Sequence, residues 1–276
     1  MKKQHSVGKV FAWIGIIIAS IVFAFPMVFT VLSSLKTKLE IFSDPFGMPA
    51  KVMWSNYAEA WKNANMSTYF MNSIIQSVVT VILLVIISSL VAYCLARVDF
   101  KSSRFLEIFF MLGMMIPMHT ILVPVSYLIG AFNLKNNIVA LVLIYVAFSL
   151  PFSILVLTNF MKTIPYSLEE AALIDGATTF QIYRRVVLPL SLPAISTISI
   201  FNFLSVWNNI IFPLLFINDN KLKPIALGLL NFNGEHGSDY GPLMAAIVIT
   251  VAIPLVIYLL FQEKVEGGMS AGAVKG

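Results

Sequence analysis

Residues 165–189 are the only long stretch in the second half of the chain that is polar, charged and patterned like helices. Its acidic side chains are Glu169, Glu170 and Asp175, and strongly apolar segments lie on both sides of it. Carboxylates near the start of a helix cap its free amides and suit the positive end of its dipole. They can also meet basic groups on a partner. This pattern predicts a docking element rather than a catalytic one.

The first part of the stretch is typical of a short capped helix. Ser167 is a good N-cap, and Glu170 follows at the position that completes a capping box. Gly176 stands where a C-terminal residue with left-handed backbone is expected. The sequence therefore predicts a helix that begins at Ser167 and ends in a glycine elbow.

A second capped helix is predicted directly after this elbow. Thr178 and Gln181 repeat the capping-box spacing. The helix is expected to run to about Val187, with Phe180 and Tyr183 on the same side. Pro189 is expected to close it, because proline cannot continue the backbone hydrogen bonding.

Two interpretations of this helix pair remain open on capping and periodicity alone. Leu168, Ala171 and Ala172 give the first helix a small apolar face at helical spacing. Such a face could enter a groove on a partner, or the pair could lie on lipid headgroups as an amphipathic surface element. The acidic character of the first helix favours docking, because anionic headgroups repel it.

Composition predicts a membrane protein. The chain of 276 residues is 59% hydrophobic and only 11% charged, with a mean hydropathy of +0.89. A soluble fold would expose too much apolar surface to stay in solution. The net charge of +5 is typical of basic inner loops, and no block of Lys and Arg suggests nucleic-acid binding. The single cysteine, Cys94, can form no intramolecular disulfide.

Charged residues divide the chain into six long apolar intervals, each sufficient for the roughly 20 residues that cross a bilayer as a helix. We therefore predict one all-α polytopic membrane domain over 1–276, with the polar stretch in a loop over 163–190. The predicted spans are 11–32, 72–96, 107–129, 138–160, 193–217 and 242–262.

The basic residues orient these spans. Six spans place both termini and the loop 163–190 on one side, and that side carries eleven of the 18 Lys and Arg against seven on the other. Basic residues are enriched in cytoplasmic loops. We expect both termini and the loop in the cytoplasm.

The loop also resembles a known family. Its Glu-Ala-Ala, three residues, Gly and hydrophobic-Leu-Pro pattern is similar to the cytoplasmic loop of permease subunits in binding-protein-dependent ATP-binding-cassette (ABC) importers. The matching residues are Glu170, Ala171, Ala172, Gly176, Val187, Leu188 and Pro189. The resemblance implies the type I ABC importer permease fold, with the loop as the coupling helix.

This resemblance implies roles and partners for the loop. Glu170, Ala171, Ala172, Asp175, Gly176, Leu188 and Pro189 would contact an ATPase subunit. The sequence has no Gly-x4-Gly-Lys-Ser/Thr phosphate loop. ATP and Mg²⁺ would therefore be bound by that partner, and this chain would be no enzyme and hold no cofactor or metal. The assembly would comprise a companion permease (as a heterodimer), two ATPase subunits and an extracytoplasmic solute-binding protein in a prokaryotic cell membrane.

Other segments resemble the carbohydrate branch of the family, as in maltose permeases. They are Ser34-Leu35-Lys36-Thr37, Glu40-Ile41-Phe42, Asn72-Ser73, Trp207-Asn208 with Ile210, Pro213 and Leu214, and the glycine-rich tail 268–276. Asn209 departs from the acidic residue of the pattern. The resemblance implies import of a sugar or oligosaccharide, and a permease for another polar solute, such as a glycerol phosphate or polyol, is the alternative.

The fifth span carries a group of polar and aromatic side chains: Asn202, Trp207, Asn208 and Asn209. Amides pair with sugar hydroxyls and aromatic rings stack on sugar C–H faces. These residues are therefore candidates for the translocation pathway. For any single Asn, hydrogen bonding between helices is the favoured interpretation.

Two competing functions and the tail complete the sequence-based expectations. The spans contain no pair of acids or His-Glu-x2-His motif that an intramembrane protease would need, and no intramembrane acid typical of an ion-coupled secondary transporter. The tail 267–276, rich in glycine, is expected to form no stable helix of its own, and to be an extended interaction element in the cytoplasm.

Overall fold

The computed structural model describes residues 4–62, 65–232 and 239–273, and every regular element within them is a helix. The prediction of an all-α membrane protein is confirmed. In chain order the α-helices are α1 Gln4–Ser34, α2 Lys38–Ser43, α3 Ser55–Lys62, α4 Met66–Arg97, α5 Ser103–Met114, α6 Leu122–Ala131, α7 Ile138–Met161, α8 Ser167–Ile174, α9 Thr179–Ile182, α10 Leu188–Leu190, α11 Leu192–Trp207, α12 Ile211–Phe216, α13 Ile225–Gly228 and α14 Tyr240–Ala273.

Four described helices are continuous and apolar over enough residues to cross a membrane. They are Gly8–Ser34 within α1, α4, α7 and Tyr240–Phe261 within α14. The first three contain the predicted spans 11–32, 72–96 and 138–160, and the last overlaps the predicted span 242–262 except for its final residue. Two bent helix pairs pass the same test, which brings the number of candidate spans in the described residues to six.

The third predicted span, 107–129, is not one straight helix. Its two parts, Ser103–Met114 and Met118–Ala131, meet at an angle of 91°. The break falls at Met115–Pro117, where the proline ring cannot donate a backbone hydrogen bond. A 3₁₀ turn over Met118–Ile121 restarts the helix. The two helices cover the predicted range, and the bend between them was not predicted.

The fifth predicted span, 193–217, is also interrupted. It comprises α11 and α12, separated by the non-helical residues 208–210. On its N-terminal side, Thr179–Leu190 and α11 are bent by 71°. The bend centres on Ser191, whose hydroxyl donates a hydrogen bond back into the preceding turn, to the Val187 carbonyl at 2.7 Å. Because Pro193 has no N–H to give to the previous turn, the helix changes direction there.

Residues Met1–Ser67 with Gly228–Ala252 form one compact unit and Thr68–Leu227 with Ile253–Gly276 form another. In the first, the buried Lys36 ammonium donates to the carbonyls of Asp44 at 2.8 Å and Pro45 at 3.2 Å. The Asn56 amide donates to the carbonyls of Ser34 and Lys36. These bonds order the segment that follows α1. The single membrane domain over 1–276 stays a prediction.

A capping box starts α2 in the same unit. The Glu40 carboxylate accepts from the Thr37 amide at 2.9 Å, and the Thr37 hydroxyl accepts from the Glu40 amide. The hydrogen bond from the Thr37 amide is the main reason why the pKa of Glu40 lies below its ordinary value. The cap is therefore formed at neutral pH and weakens as pH falls through that lowered pKa.

The second unit holds two hydrophobic clusters. One joins α4, α7, α11 and the helix after the glycine elbow, with Tyr93, Leu157, Tyr183, Val187 and Ile198 buried in it. The other joins α6, α7 and α12 around Tyr145 and Phe212. The first cluster supports the loop 163–190 and is the part of the fold that positions the candidate site.

The C-terminal tail differs from its predicted conformation. The helix α14 continues as far as Ala273, through Gly267 and Gly268. The expectation of an extended tail is wrong for 267–273, and 274–276 lie outside the described residues. An isolated helix must form its own nucleus, whereas a helix that emerges from a membrane span only has to be extended.

The contact between α5 and α7 generates a packing prediction. A Cβ on Gly113 would lie 3.1 Å from Pro151 Cγ, whereas a Cβ on Gly130 in α6 would have nothing within 4 Å. We expect Gly113→Leu to destabilise the protein by about 1–3 kcal/mol through overpacking. Gly130→Leu should change stability little. Thermal unfolding of the purified proteins in detergent measures both, and equal shifts would contradict the close contact.

Candidate functional site

The N-cap of α8 lies one residue earlier than the sequence indicates. Tyr166, not Ser167, is the N-cap of α8, with helical backbone angles and no side-chain capping bond. The amides of Glu169 and Glu170 donate to the Tyr166 carbonyl at 2.9 and 3.0 Å. The predicted Ser167–Glu170 capping box is therefore wrong. Pro165 fixes a backbone angle suited to a helix start, so Ser167 lies inside the first turn and cannot adopt the extended N-cap conformation.

The glycine elbow forms as predicted. Gly176 has φ +81°. Its amide donates to the Leu173 carbonyl at 3.0 Å, and the Ala177 amide donates to the Ala172 carbonyl at 3.0 Å. This pair of bonds is the Schellman motif, which satisfies the last carbonyls of a helix and requires a left-handed residue. The elbow therefore has a fixed geometry that depends on glycine.

The second capping box is also confirmed. Thr178 has extended backbone, its hydroxyl accepts from the Gln181 amide, and the Gln181 side chain accepts from the Thr178 amide at 2.8 Å. The helix then contains a π turn over Tyr183–Val187 and continues to Leu190. Pro189 does not close it. A π turn shifts the backbone bonding by one residue, which accommodates a proline that cannot donate.

The exposed part of the loop is centred on the elbow. Glu170, Ala171, Asp175, Gly176 and Pro189 are exposed, whereas Ala172 and Leu188 are half-buried against the first cluster. The large exposed apolar side chains beside the elbow are Leu173, Ile174 and Phe180, with 63%, 87% and 61% of their surface exposed. They were not predicted. Ile174 lies one helical turn after Glu170, and this spacing is the signal that could have identified it.

The seven predicted docking residues thus divide into an exposed set and a supporting set. The elbow is short and rigid, and it presents apolar side chains with acidic residues beside them. Such a surface suits an apolar groove on a partner that has basic residues at its rim. Phe180 was predicted on the same side of its helix as Tyr183. Its ring centroid lies 5.9 Å from that of Tyr183, but Phe180 is exposed whereas Tyr183 is buried.

A buried ion pair joins the loop to the end of α4. Arg97 Nε lies 2.5 Å from Glu169 Oε1, and their side chains are only 6% and 8% exposed. Arg97 Nη2 donates to the Ile164 carbonyl at 2.8 Å, and the guanidinium stands 5.1 Å from the centre of the Tyr166 ring. Sequence reasoning missed Arg97 because its partners lie far away along the chain.

The same face of α4 holds the second helix of the loop. The hydroxyls of Ser89 and Tyr183 are 2.8 Å apart in a buried hydrogen bond, and the rings of Tyr93 and Tyr183 have centroids 5.3 Å apart. Ser89, Tyr93 and Arg97 are spaced by four residues and so lie on one face of α4. Both helices of the loop are therefore anchored to α4.

The residues predicted for the pathway lie in different environments. The buried Asn202 amide donates to Ser153 Oγ at 3.1 Å and to the Ile198 carbonyl at 2.7 Å. Trp207 is buried, its ring stacked near Phe203 and edge-on to Phe70. Asn209 is half-buried, and its side-chain oxygen accepts from the Phe212 amide at 3.2 Å. Asn208 is exposed at the end of α11.

These environments separate positions that the sequence grouped together. Asn202 connects α11 to α7, and Asn209 bonds the first turn of α12, so both have clear partners within the chain. Asn208 has its side chain exposed beside the non-helical residues 208–210. No group of three or more His, Cys, Asp or Glu that could hold a metal ion occurs in the described residues.

The chain is similar in sequence to one protein family and to several of its members. A protein-family model described as "Binding-protein-dependent transport system inner membrane component" matches residues 85–270. The diacetylchitobiose uptake system permease protein NgcG of Streptomyces coelicolor is 36% identical over 94% of this chain and 87% of its own. The probable starch degradation products transport system permease protein AmyC of Thermoanaerobacterium thermosulfurigenes is 32% identical over 100% of both chains.

A solved structure has the same fold. It is a bacterial ABC transporter involved in the import of the acidic polysaccharide alginate, and one of its chains matches with a TM-score of 0.86 and 19% identity. The match covers 95% of this chain and 98% of that one. At this level of identity the likeness is one of fold.

The two candidate caps of the loop generate a prediction. Thr178→Ala should destabilise the helix after the elbow by about 0.5–2 kcal/mol, because its hydroxyl caps that helix. Ser167→Ala should have little effect, because Ser167 caps nothing. Hydrogen exchange of the amides in 179–182 and 167–174 measures the two helices separately. Equal acceleration in both variants would contradict the position of the first N-cap.

Proposed function

The chain belongs to the family of binding-protein-dependent transport system inner membrane components, and on that premise we propose that it is the permease subunit of an ATP-driven importer for a sugar or oligosaccharide. The names of its relatives support the solute class, since they refer to diacetylchitobiose and starch degradation products. In the proposal this chain forms half of the translocation pathway, and a companion permease, in a heterodimer, forms the other half.

The exposed elbow is the observation that carries this proposal. Ile174 and Phe180 expose large apolar side chains beside Gly176, on a segment that the Schellman motif and the second capping box hold rigid. We assign this surface to contact with an ATPase subunit. Glu170 and Asp175 would face basic residues at the rim of the ATPase groove. Each of two ATPase subunits would bind ATP with Mg²⁺, and this chain would bind neither.

The proposed mechanism is alternating access. ATP binding brings the two ATPase subunits together, and the docked elbows move with them. The permease pair then changes from inward-open to outward-open, and an extracytoplasmic binding protein releases its solute into the pathway. ATP can drive this change only because the ATPase pair binds it more tightly in one of the two states. The elbow must be rigid, since a flexible contact would not transmit the movement.

The orientation follows from the basic residues. With the six predicted spans, eleven of the 18 Lys and Arg would lie on the side of the termini and the loop 163–190. We place that side in the cytoplasm of a prokaryotic cell, where ATP is available, because basic residues are enriched in cytoplasmic loops. The binding protein would then meet the opposite side.

Asn208 is the strongest of the four pathway candidates. It stands where α11 ends, and the following residues 208–210 are not helical. Irregular backbone at membrane depth occurs where it is buried in protein or lines a water-filled cavity. An exposed amide at such a break can exchange hydrogen bonds with sugar hydroxyls. We propose that Asn208 contacts the solute, while Asn202, Trp207 and Asn209 hold the surrounding helices in place.

The docking role predicts a specific effect at the elbow. Gly176→Val places a β-branched residue at φ +81°, which costs about 1–2 kcal/mol in backbone conformation. We expect normal abundance in the membrane, reduced copurification of the ATPase and loss of ATP-driven uptake. Gly176→Asn should be milder, because asparagine tolerates left-handed backbone. Uptake by vesicles, with abundance measured in parallel, provides the test. Full transport by the valine variant would refute the docked elbow.

The pathway role predicts a different effect at Asn208. Asn208→Leu should raise the KM for uptake by about 2- to 12-fold, the equivalent of one lost hydrogen bond of about 0.5–1.5 kcal/mol. Copurification of the ATPase should be unchanged. Asn209→Asp is a neighbouring control that should retain uptake, because a carboxylate can still accept from the Phe212 amide. An unchanged KM in Asn208→Leu would place the solute path elsewhere.

A further inference from the structure

Arg97 contacts the loop 163–190, here called the docking loop, at three separate points. Its guanidinium pairs with Glu169, donates to the Ile164 carbonyl and stands over the Tyr166 ring. The Tyr166 hydroxyl in turn donates to the Arg97 carbonyl at 3.2 Å. The three partners lie in the segment that joins α7 to α8 and in the first turn of α8. The last residue of α4 is therefore held against the start of the loop by its side chain and its backbone.

The two consecutive glutamates of α8 have opposite environments. Successive residues on a helix point about 100° apart, so Glu169 turns inward to Arg97 while Glu170 is exposed. An inward carboxylate loses its hydration and is stable only while its cationic partner stays close. The ion pair consequently fixes the rotation of α8 about its axis, and with it the direction in which Glu170 and Ile174 face.

The end of α4 fixes the second helix as well. Tyr183 is buried against Ser89 and Tyr93, which lie two turns and one turn before Arg97 on the same face of α4. Movement of either loop helix relative to α4 would separate a buried polar pair. By contrast, Lys162 at the end of α7 pairs with Glu107 in α5 through side chains that are 44% and 32% exposed. Water can replace that second pair at little cost.

We propose that Arg97 is a positioning residue for energy coupling: through Glu169 and Tyr166 it makes the docking loop and α4 move as one body. The inference rests on the proposed function, because it concerns the transmission of movement from the elbow. The chain itself joins the loop to α7 and α11. In this arrangement the Arg97 contacts also join it to α4, so that movement of the docked ATPase reaches all three helices.

The test uses the complete transporter reconstituted in vesicles with its binding protein and solute. Arg97→Gln and Glu169→Gln each remove one member of the buried pair, and Arg97→Glu with Glu169→Arg exchanges the charges. Lys162→Gln is the control for loss of a neighbouring ion pair. The measured quantity is the ATP hydrolysed per solute imported, for complexes with normal membrane abundance and ATPase content.

We expect each single variant to increase ATP hydrolysed per solute by about tenfold, because an unpaired buried charge displaces the loop from α4. The exchanged pair should return the ratio towards the wild-type value, and Lys162→Gln should leave it unchanged. Arg97→Lys should give an intermediate ratio, because lysine keeps the charge and loses the planar group that contacts Tyr166 and Ile164. If the single variants do not assemble, the comparison of Arg97→Lys with the wild type decides.

Two results would overturn the inference. One is a wild-type ratio in assembled Arg97→Gln or Glu169→Gln complexes. The other is an exchanged pair with a ratio no better than that of the single variants or, where the singles fail to assemble, a wild-type ratio in Arg97→Lys. Failure of the proposed function would look different, since the wild-type chain itself would then copurify with no ATPase and import no solute. A purely structural role would lower abundance and leave the ratio unchanged in the complexes that assemble.

Discussion

Backbone polar groups cannot be left unpaired in lipid, and the form of this chain follows from that constraint. It is the reason why a sequence that is 59% hydrophobic folds into helices. It also makes each interruption of a span informative, because the freed groups need other partners. At the end of α11 the Asn209 side chain accepts from the Phe212 amide. The break at 208–210 is therefore stabilised by a side chain from the break itself.

Outside the spans the backbone can end a helix with local devices, and the loop uses several in succession. The Schellman motif at Gly176 ends α8, and the Thr178–Gln181 box begins the next helix two residues later. Each device leaves few backbone conformations available, so the elbow has one shape. This rigidity is independent of the membrane. These local devices do not fix the orientation of the loop relative to the spans. Contacts with α4 fix it, through the ion pair of Arg97 with Glu169 and the hydrogen bond of Ser89 with Tyr183.

The features that could be predicted from the sequence are those determined within a few residues. Gly176 and the Thr178–Gln181 box were predicted because capping depends on residue type and short spacing. The predicted Ser167 cap is wrong because Pro165, just outside the predicted helix, places the N-cap one residue earlier, at Tyr166. The bends at Met115–Pro117 and Ser191 were not predicted. Each depends on which backbone carbonyls find another hydrogen-bond donor where proline has no N–H. Arg97 could not be assigned, since its partners come from a segment distant in sequence.

The consecutive residues Glu169 and Glu170 explain how the short helix α8 can be anchored to α4 on one side and exposed to a partner on the other. Burying Glu169 costs hydration, and the pairing with Arg97 offsets that cost only in one geometry. An apolar contact at the same point would tolerate rotation of α8, because dispersion forces have little directional preference. The charged pair is thus a poor means of gaining stability and an effective means of selecting one orientation. That orientation exposes Glu170 and Ile174 together, which is the arrangement that a docking surface at the elbow requires.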